Sequence, residues 1–340
     1  MAVLLVPEQY STIVSAIGAA ASTGDTISIA AGTYNEYVYG AGKDITYIGR
    51  TSNPADVIIT HGATSYTMVL GDRSTVANLT VNYTGGSGGY AIIGVSLGGS
   101  SRATATLSNL LINTTANGIG QCGWGSTFDR CRVECTYKGT GYATWGIYQT
   151  ASGSGTPTSI GSTLVLDFNH AQIYAEHTTV VNSVTHTSYV RNTSLRGIYA
   201  THLYNSIASL DGSNGYSGIG VASGGSSTHC VSFGWTSASQ GDYSYGSGTT
   251  NTSNLDSADV TASGTSVFVD AANDDFNVNG SGVAFQSGTY SFQSTYGAFL
   301  NDLAGNRFNN PPSRGAYEYV APSGGTSTNV RCRLGLKLGI

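Results

Sequence analysis

Four side chains near the middle of the chain are of the types that carry out acid-base chemistry: Glu176, His177, His202 and Asp211. Glycoside cleavage requires two carboxyl groups at a suitable separation, and these can come from distant parts of one chain. Histidine titrates near neutral pH and also ligates metals, so His177 and His202 beside Glu176 suggest a second chemistry. Polar residues that satisfy one another at a turn are the more frequent arrangement. We therefore assign no catalytic residue, no metal site and no cofactor from the sequence.

Three tyrosines each follow an isoleucine in a repeated pattern, and these are Tyr148, Tyr174 and Tyr199. If the isoleucines point into a core, their tyrosine neighbours point outward and form a row. Aromatic rings in such a row are suited to binding sugars, so we predict a ligand-binding role for the three tyrosines. An aromatic ladder that only supports a sheet is the alternative, and the sequence leaves both open.

The elements that hold these residues repeat along the chain. One series of buried positions is predicted at Ile119, Ile147, Ile173, Ile198 and Ile219, each preceded by Gly or Gln. A second series is predicted at Cys131, Leu164, Val184, Ile207 and Val231. A drifting period of about 20–30 residues without helical patterning indicates a solenoid of strands and turns. The match between residues 173–177 and 198–202 predicts that His177 and His202 stack one coil apart.

The first 44 residues read as the cap and first coil of this solenoid. Ser11 is the predicted N-cap of a short helix whose apolar face includes Ile13 and Ile17, and Ile27 and Ile29 alternate on the strand that follows. This segment, with Gly32-Thr-Tyr34, resembles the N-terminal part of pectin-lyase-like proteins. The resemblance implies an all-β fold, a right-handed parallel β-helix with a short N-terminal capping helix. Repeats are expected over 45–236.

Residues 237–320 are predicted to form variable loops and a closing segment. Ser266-Val-Phe-Val-Asp270, Asp302-Leu-Ala-Gly-Asn-Arg-Phe308 and Arg314-Gly-Ala-Tyr-Glu-Tyr319 resemble the C-terminal closing segment of phage and bacterial β-helix proteins. Asp302 and Glu318 in these motifs are expected to stabilise turns rather than to act in catalysis, since acidic and amide side chains bond readily to nearby backbone.

The last segment, residues 321–340, is predicted to be a linker followed by a docking strand. Its apolar residues alternate strictly with basic residues or glycine, which places on one face Val330, Cys332, Leu334, Leu336, Leu338 and Ile340. An exposed apolar strand of this kind pairs either with its own solenoid or with another chain. Sister subunits or other virion proteins are the partners we expect, and the sequence leaves the two pairings open.

Composition excludes several classes of function. Only 10% of the 340 residues are charged and the net charge is −5, which argues against nucleic acid as the main partner. Five cysteines, an odd number without paired spacing, do not predict a disulfide framework. No apolar stretch is long enough for membrane insertion. Residues 1–6 have no basic flank, so we expect no secretory signal.

Two classes of function remain. We expect a structural virion protein of a phage, a capsid decoration, head fibre or tail-fibre component that is located in the virion. A host-surface glycan is a further candidate partner. The alternative is a carbohydrate-active tailspike or an extracellular polysaccharide lyase or glycoside hydrolase. The catalytic motifs of the lyases, esterases and hydrolases that share the resemblance are absent from the sequence, so enzymatic activity is the less favoured expectation.

Overall fold

The computed structural model describes residues 1–63, 65–86, 88–94, 104–120, 122, 125–136, 144–149, 158–168, 170–188, 195–211, 215–235, 240–289 and 301–319. It is a parallel β-helix of about nine coils. In each full coil the chain forms three strands, and each strand pairs in parallel with the strand one coil earlier and one coil later. The predicted tail, residues 328–340, lies outside the described residues.

The strands of the N-terminal half are β1 (Val3–Val6), β2 (Thr23–Ile29), β3 (Gly32–Asn35), β4 (Val38–Tyr39), β5 (Asp44–Gly49), β6 (Val57–His61), β7 (Tyr66–Leu70), β8 (Ser74–Tyr83), β9 (Tyr90–Gly94), β10 (Ala105–Thr114), β11 (Asn117–Gly120), β12 (Thr127–Cys135) and β13 (Trp145–Gln149).

The remaining strands are β14 (Thr158–Gly161), β15 (Leu164–Leu166), β16 (Ala171–Val181), β17 (Val184–Thr187), β18 (Arg196–Tyr204), β19 (Ile207–Leu210), β20 (Ser217–Thr228), β21 (Val231–Phe233), β22 (Tyr243–Tyr245), β23 (Thr250–Thr252), β24 (Phe268–Asp270) and β25 (Asp275–Val278). The helices are α1 (Ile13–Ala19) and α2 (Ser257–Ser263), with 3₁₀ turns at Pro54–Asp56 and Ala271–Asn273. Among the described residues, no helix has the length and apolar character needed to cross a membrane.

The strands form three parallel sheets along the solenoid. The first sheet contains β4, β7, β9, β11, β13, the leading parts of β16, β18 and β20, and β22. The second contains β1, β2, β5, the leading parts of β8, β10 and β12, β14, the trailing parts of β16, β18 and β20, and β23. The third contains β3, β6, the trailing parts of β8, β10 and β12, and β15, β17, β19 and β21.

The isoleucine ladder is confirmed in the first sheet. Ile119, Ile147, Ile173, Ile198 and Ile219 align in successive coils and are all buried in one core. The glycine that precedes four of these isoleucines allows close approach of a neighbouring strand. An added Cβ at Gly146 would lie 2.3 Å from Cγ1 of Val165 and 2.4 Å from the carbonyl oxygen of Gln172. The repeat therefore reflects a packing constraint as well as burial.

Helix α1 closes the N-terminal end of the core. Its N-cap is Thr12 rather than the predicted Ser11, because the Thr12 hydroxyl accepts a hydrogen bond from the Ser15 backbone N–H and forms a capping box with that residue. Ile13 and Ile17 are buried, as the helical spacing predicted, and so are Ile27 and Ile29 on β2. The cap thus covers the apolar cross-section of the first coil.

A single left-handed residue forms the corner between the second and third sheets in most coils. The residues at this corner have φ between +47° and +59°, and they are Asn78, Asn109, Arg130, Ser162, Asn182, Asn205, His229 and Ser253. Asparagine tolerates this conformation better than most residues. The side chains also stack: Asn205 Nδ2 donates to Asn182 Oδ1 at 3.0 Å, and Asn109 Nδ2 donates to Asn78 Oδ1 at 2.9 Å.

The second predicted series is only partly correct. Leu164, Val184, Ile207 and Val231 align in the third sheet, but Leu164 pairs with Arg132 and not with Cys131. The four aliphatic residues point outward and pack against a separate cluster that includes Phe268 and Phe276 of the closing segment. Cys131 instead points into the central core. The closing segment therefore covers an apolar strip on the outside of the solenoid.

The solenoid continues beyond residue 236, where loops were predicted. Strands β22 and β23 pair with β20, and α2 follows them. On the first sheet, the inward residue of this coil is Tyr243, which pairs with Ile219 and packs against the core. An aromatic residue thus stands where the preceding coil has an aliphatic one. In the closing segment, Asp302 accepts from the backbone N–H of Asn306, and Glu318 accepts from that of Ser313. Both carboxylates thus hold turns.

Candidate functional site

A half-exposed aromatic and charged surface lies on the outer side of the first sheet. We call it the aromatic face and define it by Trp145, Tyr148, His170, Tyr174, Glu176, Arg196, Tyr199 and Tyr216. Strands β13, β16 and β18 supply most of these residues, so adjacent coils present them at the strand spacing of about 4.8 Å. A rigid sheet rather than a mobile loop therefore positions most of the surface.

The three predicted tyrosines form one row. Tyr148, Tyr174 and Tyr199 are paired in register in successive coils. The ring centres of Tyr148 and Tyr174 are 5.9 Å apart with an interplanar angle of 28°, and those of Tyr174 and Tyr199 are 5.0 Å apart with an angle of 20°. The near-parallel rings support one another, and they place three phenol groups in a line along the solenoid axis.

Glycine occupies the same row on both sides of the tyrosines. Gly120 pairs with Tyr148, and Gly220 pairs with Tyr199. The ring of Tyr199 extends over Gly220, where an added Cβ would lie 2.6 Å from its Cδ2 atom. A larger residue at Gly220 would push the ring of Tyr199 aside. The row of tyrosines therefore has defined ends.

Arg196 is the cation of the aromatic face. Its guanidinium carbon lies 5.4 Å from the ring centre of Tyr174, 5.0 Å from that of Tyr199 and 4.6 Å from that of Tyr216. Contacts of this length are favourable cation–π interactions. No carboxylate in the described part of the chain forms an ion pair with Arg196. The aromatic face therefore holds a positive charge that an anionic group on a ligand can approach.

Trp145 lies against the start of the tyrosine row. Its ring meets that of Tyr148 edge-on at 3.8 Å, and it lies 4.8 Å from the ring of His170. Burial, with a smaller contribution from the charge of Arg196, lowers the pKa of His170 below its usual value. The imidazole is therefore neutral at physiological pH and adds a polar, uncharged group beside the indole.

Tyr174 and Glu176 are linked by a hydrogen bond. The Tyr174 hydroxyl donates to Glu176 Oε1 at 3.0 Å. Burial and, to a smaller extent, this hydrogen bond raise the pKa of Tyr174 to about 12. The phenol is therefore protonated at neutral pH and acts as a donor, not as a base. Glu176 is oriented by this contact and can accept hydrogen bonds from ligand hydroxyl groups.

The predicted stacking of His177 on His202 is wrong. Ala175 pairs with Ala200, but the next pair is Thr179 with His202, so the corner is two residues longer in the earlier coil. His177 lies in this longer corner with φ of +54° and is exposed. His202 is half-buried, and its Nδ1 lies 3.0 Å from the Ser226 hydroxyl. The two histidines are therefore not placed to share a metal or a proton.

Asp211 lies at a different corner from Glu176. Asp211 follows β19 of the third sheet, whereas Glu176 follows the first-sheet part of β16. The Asp211 carboxylate lies 3.6 Å from Nε2 of the buried His186, whose Nδ1 contacts Ser209 Oγ at 2.9 Å. The two acids therefore do not form the pair that glycoside cleavage needs. Over the described ranges, no three His, Cys, Asp or Glu residues are grouped to hold a metal ion.

Trp145, His170, Arg196 and Tyr216 were not predicted as site residues. Arg196 stands two positions before Ile198, as Trp145 stands two positions before Ile147. The repeat thus contained a signal for both residues. The small residues Ala171 and Ser217 occupy the equivalent positions in the neighbouring coils and leave space for the larger side chains.

Comparison with known proteins was made by sequence and by structure. The chain matches no protein-family model and no curated protein sequence. Its structure is similar to a pectin methylesterase from Aspergillus niger, with 13% identity, a TM-score of 0.40, and coverage of 75% of this chain and 85% of that one. It is also similar to a pectin methylesterase from Yersinia enterocolitica, with 11% identity and a TM-score of 0.40. That match covers 73% of this chain and 90% of the esterase.

A third similar structure is the alginate lyase AlyGC of family PL6. The identity is 16% and the TM-score 0.41, and the match covers 74% of this chain and 40% of the lyase. At such low identity and TM-scores these neighbours say nothing about activity. The strand register independently identifies the chain as a parallel β-helix protein.

Proposed function

We propose that the protein binds a polysaccharide chain on the aromatic face. The observation that carries the proposal is the combination of three stacked tyrosines with Arg196, which lies over the rings of Tyr174 and Tyr199 and forms no ion pair among the described residues. Tyrosine offers both an apolar ring and a hydroxyl group, and this suits the mixed surface of a sugar. The glycan would lie along the solenoid axis and meet one tyrosine per coil.

The surface is rigid before it binds. The tyrosines are held by one another and by strands on both sides, so little side-chain freedom is lost when a ligand docks. Arg196 is held over three rings and provides a charge for a carboxylate or sulfate group of an acidic sugar. The net charge of −5 opposes a densely charged chain such as a nucleic acid, so a glycan with few acidic groups is the better ligand.

Glycan binding without cleavage fits the aromatic face better than hydrolysis does. Glu176 accepts a hydrogen bond from Tyr174, and the acid considered as its catalytic partner, Asp211, follows a strand of a different sheet. The alternative of a polysaccharide lyase or glycoside hydrolase would require a second group near Glu176. Rapid depolymerisation of a bound glycan that is abolished by Glu176→Gln would establish this alternative.

The test is to titrate the protein with a panel of neutral and acidic tetrasaccharides and to measure binding by tryptophan fluorescence and calorimetry. Tyr174→Ala should weaken binding by about 10-fold, as for the loss of about 1.4 kcal/mol. Tyr39→Ala is the matched control, since it is an exposed tyrosine of the same sheet at a distance that a short ligand does not span. Equal losses in both variants, or binding unaffected by Tyr174→Ala, would contradict the proposal.

The virion role, with sister subunits and other virion proteins as partners, stays a prediction. It depends on the alternating residues of the tail, which lie outside the described part of the chain. Deletion of residues 328–340 should leave the β-helix folded and impair assembly into larger particles. Sedimentation of the full-length and shortened proteins measures this, and identical assembly would remove the docking role. The alternative is that the protein is extracellular and not part of a virion.

A further inference from the structure

Two opposite charges flank the tyrosine row of the aromatic face. Arg196 comes three positions before Tyr199 on β18, and Glu176 comes two positions after Tyr174 on β16, while the two tyrosines pair in register. Both charged side chains are half-buried. Along the common strand direction, the backbone of the arginine therefore lies before the row and that of the glutamate lies after it.

The two charges act on the same rings but do not neutralise each other. The guanidinium carbon of Arg196 lies 5.4 Å from the ring centre of Tyr174, and Glu176 Oε1 accepts a hydrogen bond from the hydroxyl group of that tyrosine at 3.0 Å. Burial and, to a smaller extent, the charge of Glu176 raise the pKa of Tyr199, whereas the charge of Arg196 lowers it. No ion pair joins Arg196 to Glu176, and neither forms one with another residue in the described part of the chain.

Opposite charges that are fixed on a rigid sheet give the site a definite polarity. Water screens half-buried charges less than fully exposed ones. A ligand that covers the row and carries only one charge removes water from the other charge without replacing it, which costs free energy. A ligand with an anionic group at one edge and a cationic group at the other pairs both charges. The arrangement therefore favours ligands that contain both signs of charge.

We propose that the aromatic face recognises a zwitterionic saccharide, in which an acidic group contacts Arg196 and an ammonium group contacts Glu176. This inference rests on the proposed function. A guanidinium binds oxyanions through charge-assisted hydrogen bonds. A carboxylate has about four lone-pair sites, and Tyr174 occupies one at Glu176, so the glutamate can also accept from the ammonium group of an amino sugar. The tyrosine rings contact the apolar faces of the sugars between the two charges.

Neutral hydroxyl groups of a sugar also donate to a carboxylate, and this is the alternative to the ammonium group. Hydrogen bonds in which both partners are charged are stronger than those in which only one is charged. An ammonium group should therefore raise the affinity only while Glu176 carries its charge. A hydroxyl contact predicts no such dependence on the amine.

The experiment uses four tetrasaccharides with one skeleton, and calorimetry on the full chain. The parent is the hyaluronan tetrasaccharide, which alternates a uronic acid with an N-acetylated amino sugar and is anionic. Removal of the acetyl groups makes it zwitterionic, reduction of the carboxyl groups makes it neutral, and both treatments together make it cationic. At about pH 6 the free amine is protonated and the uronic acid is ionised. The four probes thus differ in the two charges.

The native protein should bind the zwitterionic probe about 10-fold more tightly than the anionic parent. Glu176→Gln retains an oxygen for the Tyr174 hydroxyl and should abolish this difference. Arg196→Met should abolish the preference for the zwitterionic probe over the cationic one. Asp211→Asn is the matched control, because it removes a carboxylate that follows a strand of the third sheet, and it should bind all four probes as the native protein does. Thermal unfolding checks that each variant is folded.

The outcomes separate this inference from the proposed function. If the zwitterionic probe binds no better than the parent, or if Glu176→Gln retains the full difference, the zwitterionic ligand is wrong. The proposed function still stands in that case when tetrasaccharides of the wider panel bind and their binding depends on Tyr174. If no tetrasaccharide binds the native protein, both proposals fail. If Asp211→Asn loses the difference as Glu176→Gln does, the effect is one of net charge and the inference is overturned.

Discussion

The guanidinium of Arg196 lies 4.6 Å from the centre of the Tyr216 ring, which belongs to the chain just before the next coil. The arginine side chain is thereby held between its own coil and its neighbours. Aromatic rings rather than a carboxylate fix the position of its guanidinium. Partial burial of a guanidinium costs less than that of a lysine ammonium, because the guanidinium is more weakly hydrated. It is also available to a ligand.

The first prediction concerns this charge. Arg196→Met should keep most of the packing and weaken the binding of acidic glycans by about 10-fold or more, while neutral glycans lose less. Raising the salt concentration should reduce the affinity of the native protein for acidic glycans and have little effect on the variant. Calorimetry at two salt concentrations measures both effects. Equal salt dependence in the two proteins would show that Arg196 does not contact the ligand charge.

A second prediction concerns the glycine that precedes the core isoleucine. Gly146→Ala should lower the free energy of unfolding by about 1–3 kcal/mol, because the added methyl group meets Val165 and Gln172. Gly18→Ala in α1 is the control, since an added Cβ there has no atom within 4 Å. The control should be neutral or slightly stabilising. Urea unfolding measures the difference, and equal stability of the two variants would be inconsistent with the close packing.

The third prediction concerns the apolar strip under the closing segment. Phe276 is buried there, and Phe276→Ala should destabilise the contact by about 3–5 kcal/mol. The exposed aliphatic row should then bind a hydrophobic dye while the coils remain folded. Val269→Ala, in the same segment but 54% exposed, is the control and should bind no more dye than the native protein. A dye signal in both variants or in neither would argue against a closing segment that covers the strip.

The fourth prediction concerns pH. Burial lowers the pKa of His202 below the usual 6.5. A histidine with a lowered pKa contributes stability that is present above its unfolded pKa and is lost as the pH falls through its folded pKa. The free energy of unfolding should therefore decrease when the pH is lowered below about 6.5. His202→Gln should reduce this decrease.

His177→Gln, at an exposed histidine, provides the control for the pH experiment. Urea unfolding at several pH values on either side of the usual histidine pKa gives the dependence for each protein. If the two variants retained the same pH dependence as the native protein, burial of His202 would not contribute to it.

The sequence correctly predicts the features that repeat in a fixed register. The isoleucine ladder and the tyrosine row both follow from Ile147, Ile173 and Ile198, because each isoleucine must be buried and the next residue must then point outward. The N-terminal cap was recovered for the same reason, since the apolar spacing of a short helix is local. Its N-cap was misplaced by one residue because Ser11 and Thr12 are both suitable.

Features that depend on corner length were not recovered. The segments Tyr174-Ala-Glu-His177 and Tyr199-Ala-Thr-His202 look alike, yet the first continues through a longer corner and the second enters the next strand at once. Nothing local distinguishes the two. The outward direction of Leu164 and Val184 was also hidden, because an aliphatic residue covered by a distant segment reads as a core residue. Arg196 was overlooked because its partners are rings from three different positions.

The left-handed corner between the second and third sheets has a consequence for how such a chain can change over generations. A single residue forms this corner in most coils, as at Asn182 and Asn205, although residues 50–56 are inserted there between β5 and β6. The corner after the first sheet varies in length between neighbouring coils. The connection from the third sheet back to the first also varies, with six residues between β8 and β9 and two between β10 and β11. Changes in length are therefore most frequent at the two edges of the first sheet, which carries the aromatic face, and new ligand specificities can arise there without a change in the sheets.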